Sequence, residues 1–372
     1  MRMKKLIILA AVAIAAVACS RTFDTAPAKE QAIGFGTWAE TLTKARGTAN
    51  DNTAFQADDV FDVYGFKTVG STNHVVFNGD DVTATVDGST VTWDYTPHRF
   101  WDPAAASYTF FAVLPANQLA TAPAETGLFV SNDITFDDPT DFSNDILIAD
   151  KKEVAGTGAS APYSYTNPVE MQFNHVASSV DLLVKQDATL GNAEVKVTAL
   201  SLLNISNKGA FTVSGYSTNV PTVSWDEADT PTTLGTAGVY AVPETFPITV
   251  GGKTTYDGST HAATGTDGTA VTIFSGYVFK PQTLVAGTQK IRISYTIKVG
   301  DEDPNVYTDV EFDINKFQST DTNDNSGTDI TAWAPKTKYI YTITIGAKDI
   351  QFAATVKDWE TTVNDGYHYL LN

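Results

Sequence analysis

Lys338-Tyr339-Ile340-Tyr341-Thr342-Ile343-Thr344-Ile345 is followed, after Gly346-Ala347-Lys348, by Asp349-Ile350-Gln351-Phe352-Ala353-Ala354-Thr355-Val356-Lys357. In the first run Tyr339, Tyr341, Ile343 and Ile345 share one parity; in the second Ile350, Phe352, Ala354 and Val356 do. A period of two puts one face of a strand in a core and the other in water. The three residues between the runs have hairpin length. The same parity holds in 289–299, where Ile291, Ile293, Tyr295, Ile297 and Val299 alternate with Lys290, Arg292, Ser294, Thr296 and Lys298. These runs predict an all-β, antiparallel chain. The 53 threonines among 372 residues agree, because a β-branched side chain suits a pleated surface better than a helix.

Working upstream, shorter strands are predicted at 60–68, 73–77, 82–86, 90–95 and 107–114, with Gly79-Asp80 and Asp87-Gly88 as turns. Gly156 to Pro162 follows residues 144–150 and reads as a linker. A second strand series opens at Met171–Lys185 and continues through 194–205, 237–242 and 270–279. Residues 214–235 and 251–268 read as long loops. At this length two domains are expected, and a division near residue 165 gives two β-sandwiches. The apolar content of 42% excludes a globally disordered chain. A formal charge of −19 argues against a nucleic-acid partner, which needs a basic face.

The first residues read as a targeting segment. Arg2, Lys4 and Lys5 precede an apolar run from Leu6 to Ala18. That run is shorter than the about 20 residues a membrane helix needs, so 1–18 is taken as a signal peptide. Ala16-Val17-Ala18-Cys19-Ser20 suits a bacterial lipoprotein signal, in which Cys19 is lipidated and becomes the N-terminus. Ala16 stands where leucine is more usual. The plain alternative is an ordinary signal peptidase site beside a chance cysteine. With a single cysteine no intrachain disulfide can form, and packing and ladder hydrogen bonds must supply stability. Residues 19–32 read as the lipidated tether.

Catalytic and metal signatures are weak. His74, His98, His175, His261 and His368 lack zinc-site spacing, and no G-x-S-x-G elbow occurs. Gly252-Lys253-Thr254 looks like the end of a phosphate loop, but Pro247 stands where the first glycine is required. Asp321, Asn323, Asn325 and Asp329 are oxygen-rich, yet Ser326 and Ala332 occupy the positions a calcium loop gives to glycine and glutamate. Both this segment and Asp301-Glu302-Asp303 read as solvated loops. His175, between apolar neighbours on a strand, reads as a hydrogen-bonded packing residue. No catalytic residue, metal or cofactor is assigned.

Several segments together resemble the fimbrillin family of Bacteroidetes. Trp93, Arg99-Phe100-Trp101 and Tyr108-Thr109-Phe110-Phe111-Ala112 look like its W…R-F-W…F-F-A block. Asn144-Asp145-Ile146-Leu147-Ile148-Ala149 resembles its D-L-L-x-A segment, and Phe173-Asn174-His175-Val176-Ala177 the F-x-H-x-x-A opening of the second domain. Trp333, Tyr339-Ile340-Tyr341-Thr342-Ile343 and Val356-Lys357-Asp358-Trp359 are similar to its closing W…Y-x-Y-x-I…V-x-D-W pattern.

The resemblance implies two tandem transthyretin-like β-sandwich domains, 33–165 and 166–372. It implies a structural, non-enzymatic subunit of an outer-membrane surface fimbria, exported as a lipoprotein and supporting adhesion. Its expected partners are other fimbrial subunits, an arginine-specific protease and the outer membrane through the lipid anchor. Cleavage removes the first strand, and a strand from another subunit fills the groove. For this chain the removable strand falls in Lys29 to Arg46, with Ile33 and Phe35 on one parity, and the cut between Arg46 and Gly47. The alternative is that Arg46 is an ordinary loop arginine. The candidate donor is the tail 360–372, with Val363, Tyr367, Tyr369 and Leu371 on one parity. The alternative is that this tail closes its own domain. Two other functions stand beside the fimbrial one. A monomeric outer-membrane surface lipoprotein would bind glycan or host protein through its aromatics, and a β-sandwich hydrolase would need a catalytic constellation the sequence does not display.

Overall fold

The computed structural model describes residues 31–39, 55, 57–88, 90–140, 145–155, 167–226, 239–242, 244–251, 269–317, 329–347 and 350–359. In chain order the first strands are β1 (Phe35–Ala39), β2 (Val60–Val69), β3 (Thr72–Asp87), β4 (Thr90–Asp94), β5 (Ser107–Leu114), β6 (Leu119–Thr121), β7 (Phe129–Ser131), β8 (Ile134–Thr135), β9 (Leu147–Ala149), β10 (Lys152–Ala155) and β11 (Val169–His175). Then come β12 (Ser178–Gln186), β13 (Glu194–Leu203), β14 (Lys208–Gly209), β15 (Phe211–Ser217), β16 (Val220–Trp225), β17 (Val239–Ala241) and β18 (Ile248–Gly251). The last are β19 (Val271–Phe279), β20 (Gln282–Thr283), β21 (Lys290–Lys298), β22 (Asn305–Asp313), β23 (Ala332–Trp333), β24 (Thr337–Ile345) and β25 (Ile350–Asp358). Two single 3-10 turns, Ala188–Leu190 and Ile314–Lys316, are the helical segments among the described residues. No described helix is long and apolar enough to cross a membrane. The chain is all-β, as its alternation requires.

The first sheet has the order β1-β11-β9-β5-β2-β3-β4, with β10 also on β5. It curls around a core that includes Phe35, Phe61, Phe77, Phe110 and Met171. In the second half, the sheets β19-β12-β24-β25 and β17-β13-β21-β22 enclose another core, with Ile291, Ile293, Tyr341 and Ile343 at its centre. The inward residues of β21 and β24 are those the period-two pattern selects. Each large apolar side chain buried there contributes about 1.5–3 kcal/mol. A third core lies between the halves and contains Val113, Ile148, Val176, Phe211 and Trp359.

The predicted hairpin is present: β24 pairs antiparallel with β25 from Thr337↔Asp358 to Ile345↔Ile350. Other expectations are corrected. Gly79-Asp80 is not a turn, because β3 runs unbroken through it. The register passes from Val63↔Asp80 to Tyr64↔Asn78, leaving Gly79 as an extra residue at φ 79°. Glycine at positive φ serves a bulge as readily as a turn. Residues 214–225 are not loop but most of the β15–β16 hairpin, turned by Thr218 and Asn219, both at positive φ. The pairing is not wholly antiparallel either: β1–β11 and β12–β24 are parallel ladders, each joining strands far apart in sequence.

Met171–Lys185 is two strands. β11 pairs with β1 and β9 in the first sheet, and the chain crosses at Val176-Ala177 to β12 in the second half. Later the chain returns. β14 pairs with β8, and β15 with β7, giving the sheet β16-β15-β7-β6. Residues beyond 165 therefore complete the first half twice. The linker candidate 156–162 and most of the loop 251–268 lie outside the described residues.

Candidate functional site: the first strand and its seat

The segment leading into β1 changes neighbours within three residues. The Ile33 amide donates to the Arg99 carbonyl at 2.8 Å, and the Trp101 amide donates to the Gln31 carbonyl at 3.0 Å. Ala32 and Phe100 form an antiparallel bridge between them. At Gly34 the chain turns to β11: the Val169 amide donates to the Gly34 carbonyl at 2.8 Å. From there Phe35–Ala39 runs parallel to Val169–Phe173. The segment thus bridges the edge beside β4 and the edge of β11, closing the curled sheet.

Its apolar residues face inward. Ile33 is 1% exposed and Phe35 5%. The Phe35 ring meets Phe61, Phe77, Tyr95 and Phe110 edge-on, at centroid distances of 6.0, 5.4, 5.7 and 5.9 Å. Each such pair adds about 0.5–1.5 kcal/mol to the burial itself. The Tyr95 hydroxyl donates to the Ile33 carbonyl at 2.7 Å and accepts from the Arg99 amide at 3.1 Å. The Arg99 guanidinium is held by Asp80 at 2.9 Å, the Val76 carbonyl at 3.2 Å and the Pro97 carbonyl at 3.1 Å. This arginine fixes the wall of the seat. On the outer side, a Cβ at Gly36 would come within 2.7 Å of the Glu170 carboxylate, which lies over the bare backbone. Burial there raises the Glu170 pKa, against the opposing pull of Lys152.

β11 ends at a second feature. His175 Nδ1 lies 2.9 Å from Asp145 Oδ1, and the imidazole stacks on the Trp359 ring at 3.9 Å and 9°. The Trp359 amide donates to the Lys336 carbonyl at 2.7 Å, and the Lys336 amide to Ala177 at 3.0 Å. His175 is 2% exposed and packs as the sequence reading expected. Trp359, immediately before the tail, is fixed in the core between the halves.

Ile33 and Phe35, the residues assigned to the removable strand, are thus brought together in one core. Cys19, Arg46, Gly47, Val363, Tyr367, Tyr369 and Leu371 lie outside the described residues. Asp321, Asn323 and Asn325 do too, while Asp329 pairs with Lys316 at 2.6 Å. Among the described residues no three His, Cys, Asp or Glu side chains converge as a metal site. Trp93, Trp101, Trp333 and Trp359 are core residues rather than a surface platform for sugars. Sequence reasoning missed Tyr95 and Glu170. Tyr95 lies between the quoted Trp93 and Arg99, so the aromatic block was a signal for the seat; nothing local marked Glu170.

A family model described as fimbrillin-like matches residues 43–359. The chain belongs to the fimbrillin-like family. Among solved structures this fimbrillin-like chain is similar to a fimbrial protein from Bacteroides vulgatus, with 18% identity, 88% of this chain and 99% of that chain covered, and a TM-score of 0.52. A candidate cell adhesion protein from Bacteroides uniformis matches with 17% identity over 89% and 98% of the two chains, at a TM-score of 0.45. The tip fimbrial protein Mfa3 from Porphyromonas gingivalis, with C-terminal truncation, matches with 9% identity over 82% and 95%, at 0.41. No curated protein sequence matches the chain.

Proposed function

We propose that this fimbrillin-like chain is a structural, non-enzymatic subunit of a cell-surface fimbria, assembled by strand exchange and supporting adhesion. It is exported by the segment 1–18, lipidated on Cys19 and anchored in the outer membrane. An arginine-specific protease cuts between Arg46 and Gly47. The cut makes the segment holding Ile33 and Phe35 separable from the rest, and the tail 360–372 of another subunit takes its place through Val363, Tyr367, Tyr369 and Leu371. The subunit has two domains divided near residue 165, the first completed by β11 and by the β14–β16 excursion.

One observation carries this reading. β1 and the residues just before it place Phe35 and Ile33 in the first core, β1 pairs along β11, and the preceding Ala32 bridges to Phe100. Removal of this segment leaves unpaired ladder groups beside an apolar slot, a site suited to strand addition. Donor and seat are different parts of the subunit, so the contact is head-to-tail and propagates as a filament.

The test uses purified protein lacking residues 1–18 and a limiting amount of an arginine-specific protease. A new N-terminus at Gly47 accompanied by ladders or filaments is expected. A protein that stays monomeric after that cut rules out self-assembly by exchange. Deleting 360–372 is expected to abolish the ladders, and normal filaments from the truncated chain would remove the tail from the donor role. In the exporting cell, Cys19→Ala is expected to abolish labelling by a fatty-acid probe; persistent labelling refutes lipidation there.

A further inference from the structure

We propose that the seat of β1 exists only with a strand in it, so that the cut strand stays bound until the incoming strand of a second copy displaces it. This rests on the strand-exchange reading and concerns its order of events: proteolysis licenses the exchange, and displacement performs it.

The two walls of the seat differ. The Arg99–Trp101 wall is fixed without β1, because Arg99 is tied to Asp80, Val76 and Pro97. The β11 wall is not. Among the described residues, β9 pairs with β11 only at Phe173, Asn174 and His175. The Asp150 amide reaches the Gln172 carbonyl at 2.7 Å. For Val169, Glu170 and Met171 the described ladder partner is β1. Val169 and Met171 are fully buried in the same core as Ile33 and Phe35.

Taking β1 away therefore removes more than a plug. Val169–Met171 lose their ladder, and the core around Val169 and Met171 loses Ile33 and Phe35. The place of Phe35 becomes a void lined by Phe61, Phe77, Tyr95 and Phe110. An apolar void gains nothing from water and forfeits the dispersion contacts of its lining. An empty groove is thus a partly unfolded first half. The incoming strand must supply what β1 supplied while β1 leaves. It has to run parallel to β11 with two apolar side chains two residues apart. Tyr367 and Tyr369, or Tyr369 and Leu371, have that spacing in the tail. At the level of Gly36 it needs a small residue, or Glu170 must swing outward.

The experiment uses the exported chain, cut by the arginine-specific protease at a dilution where subunits rarely meet. Native mass spectrometry reads whether the cut fragment stays on the subunit, and hydrogen exchange reads the amides of 169–171. A retained fragment with undiminished protection is expected. A synthetic peptide of residues 360–372 is then added. Fragment loss is expected at a rate proportional to peptide concentration. Phe35→Ala is expected to speed unaided fragment loss by roughly a hundredfold, given the cost of truncating a buried phenylalanine. Phe35→Leu, the milder change should the alanine variant fail to fold, gives a smaller acceleration of the same sign. Spontaneous loss of the fragment, with 169–171 still protected and the peptide binding afterwards, overturns the inference and leaves strand exchange standing. A cut chain that neither releases its fragment to the peptide nor binds it overturns the strand-exchange reading itself.

Discussion

Buried between Asp81 and the Asn117 amide, the Asp62 carboxyl is pushed up to about 6, chiefly by burial and further by Asp81, while the Asn117 hydrogen bond at 2.6 Å opposes the shift. The folded chain therefore holds this proton to higher pH than the unfolded chain, whose aspartate titrates near 4. Between those two values the native state binds more protons, so stability falls as pH rises through that window and stays lower above it. A raised acid pKa costs stability at neutral pH; it does not contribute any. Asp62→Asn keeps an acceptor for the Asn117 amide and removes the charge. It is expected to gain about 1–2 kcal/mol at pH 8 and nothing at pH 4. Denaturant unfolding at both pH values checks this, and an equal offset at the two would refute the assignment. Gly79 makes a second prediction. Its φ of 79° and the Tyr64 hydroxyl 3.1 Å from any added Cβ make Gly79→Val costly, by about 2 kcal/mol or more. An unchanged melting temperature would count against the bulge.

Elements differ in how much of them the sequence exposes, and the reason is range. β21, β24 and β25 were legible because nine residues of alternation leave little choice of face. The β15–β16 hairpin was not, because its turn carries Thr218-Asn219 rather than an asparagine-glycine pair, and a β-branched residue at positive φ is a rare signal. That mismatch is a prediction. The double change Thr218→Asn and Asn219→Gly matches the turn and is expected to stabilise the chain by about 0.5–1 kcal/mol, read as a higher melting temperature. A lower one would mean that Thr218 contributes more than its backbone angle costs. Ile33 and Phe35 were legible as inward apolar residues, since they alternate with Gly34 and Gly36. Their seat was not, because Phe61, Tyr95, Phe110 and Val169 come from four distant segments that only the folded sheet brings together. The parallel β12–β24 ladder was hidden for the same reason. The outer edges show the opposite design. β22 carries Asp309, Glu311 and Asp313 along an exposed strand, with Asp309 at φ 53° where the register shifts. Charge and a bulge make that edge a poor template for stray pairing.

The whole molecule is more unified than a division near residue 165 suggests. β11 lies beyond that point yet supplies the ladder for β1, and β15 lies farther still yet pairs with β7. Phe211 packs with Phe129 and Ile134 of the first half, and its amide donates to the Ser131 hydroxyl at 2.8 Å. Trp359, the last described residue, stacks on His175. A fragment of residues 33–165 therefore lacks the partner of its first strand and the cover of its third core. It is expected to show no cooperative melt, while the intact chain without residues 1–18 shows one transition reported alike by circular dichroism and tryptophan fluorescence. Two separated transitions in the intact chain, with the fragment reproducing one of them, would mean that the shared sheet adds little. Such unity also bears on assembly. Were subunits joined by the proposed strand exchange, each would pass tension from its seat to its tail. The contacts from β1 run along β11 to His175 and across a ring stack to Trp359, and such a load would cross from one half to the other through the buried core between them. Removing that stack with Trp359→Ala is expected to destabilise the chain by about 3–5 kcal/mol. Under the proposed donor role of the tail, which begins at the next residue, the same change is expected to shorten the filaments that form, measured by electron microscopy at equal extent of proteolysis. Filaments of normal length from a folded variant would show that the load takes another route.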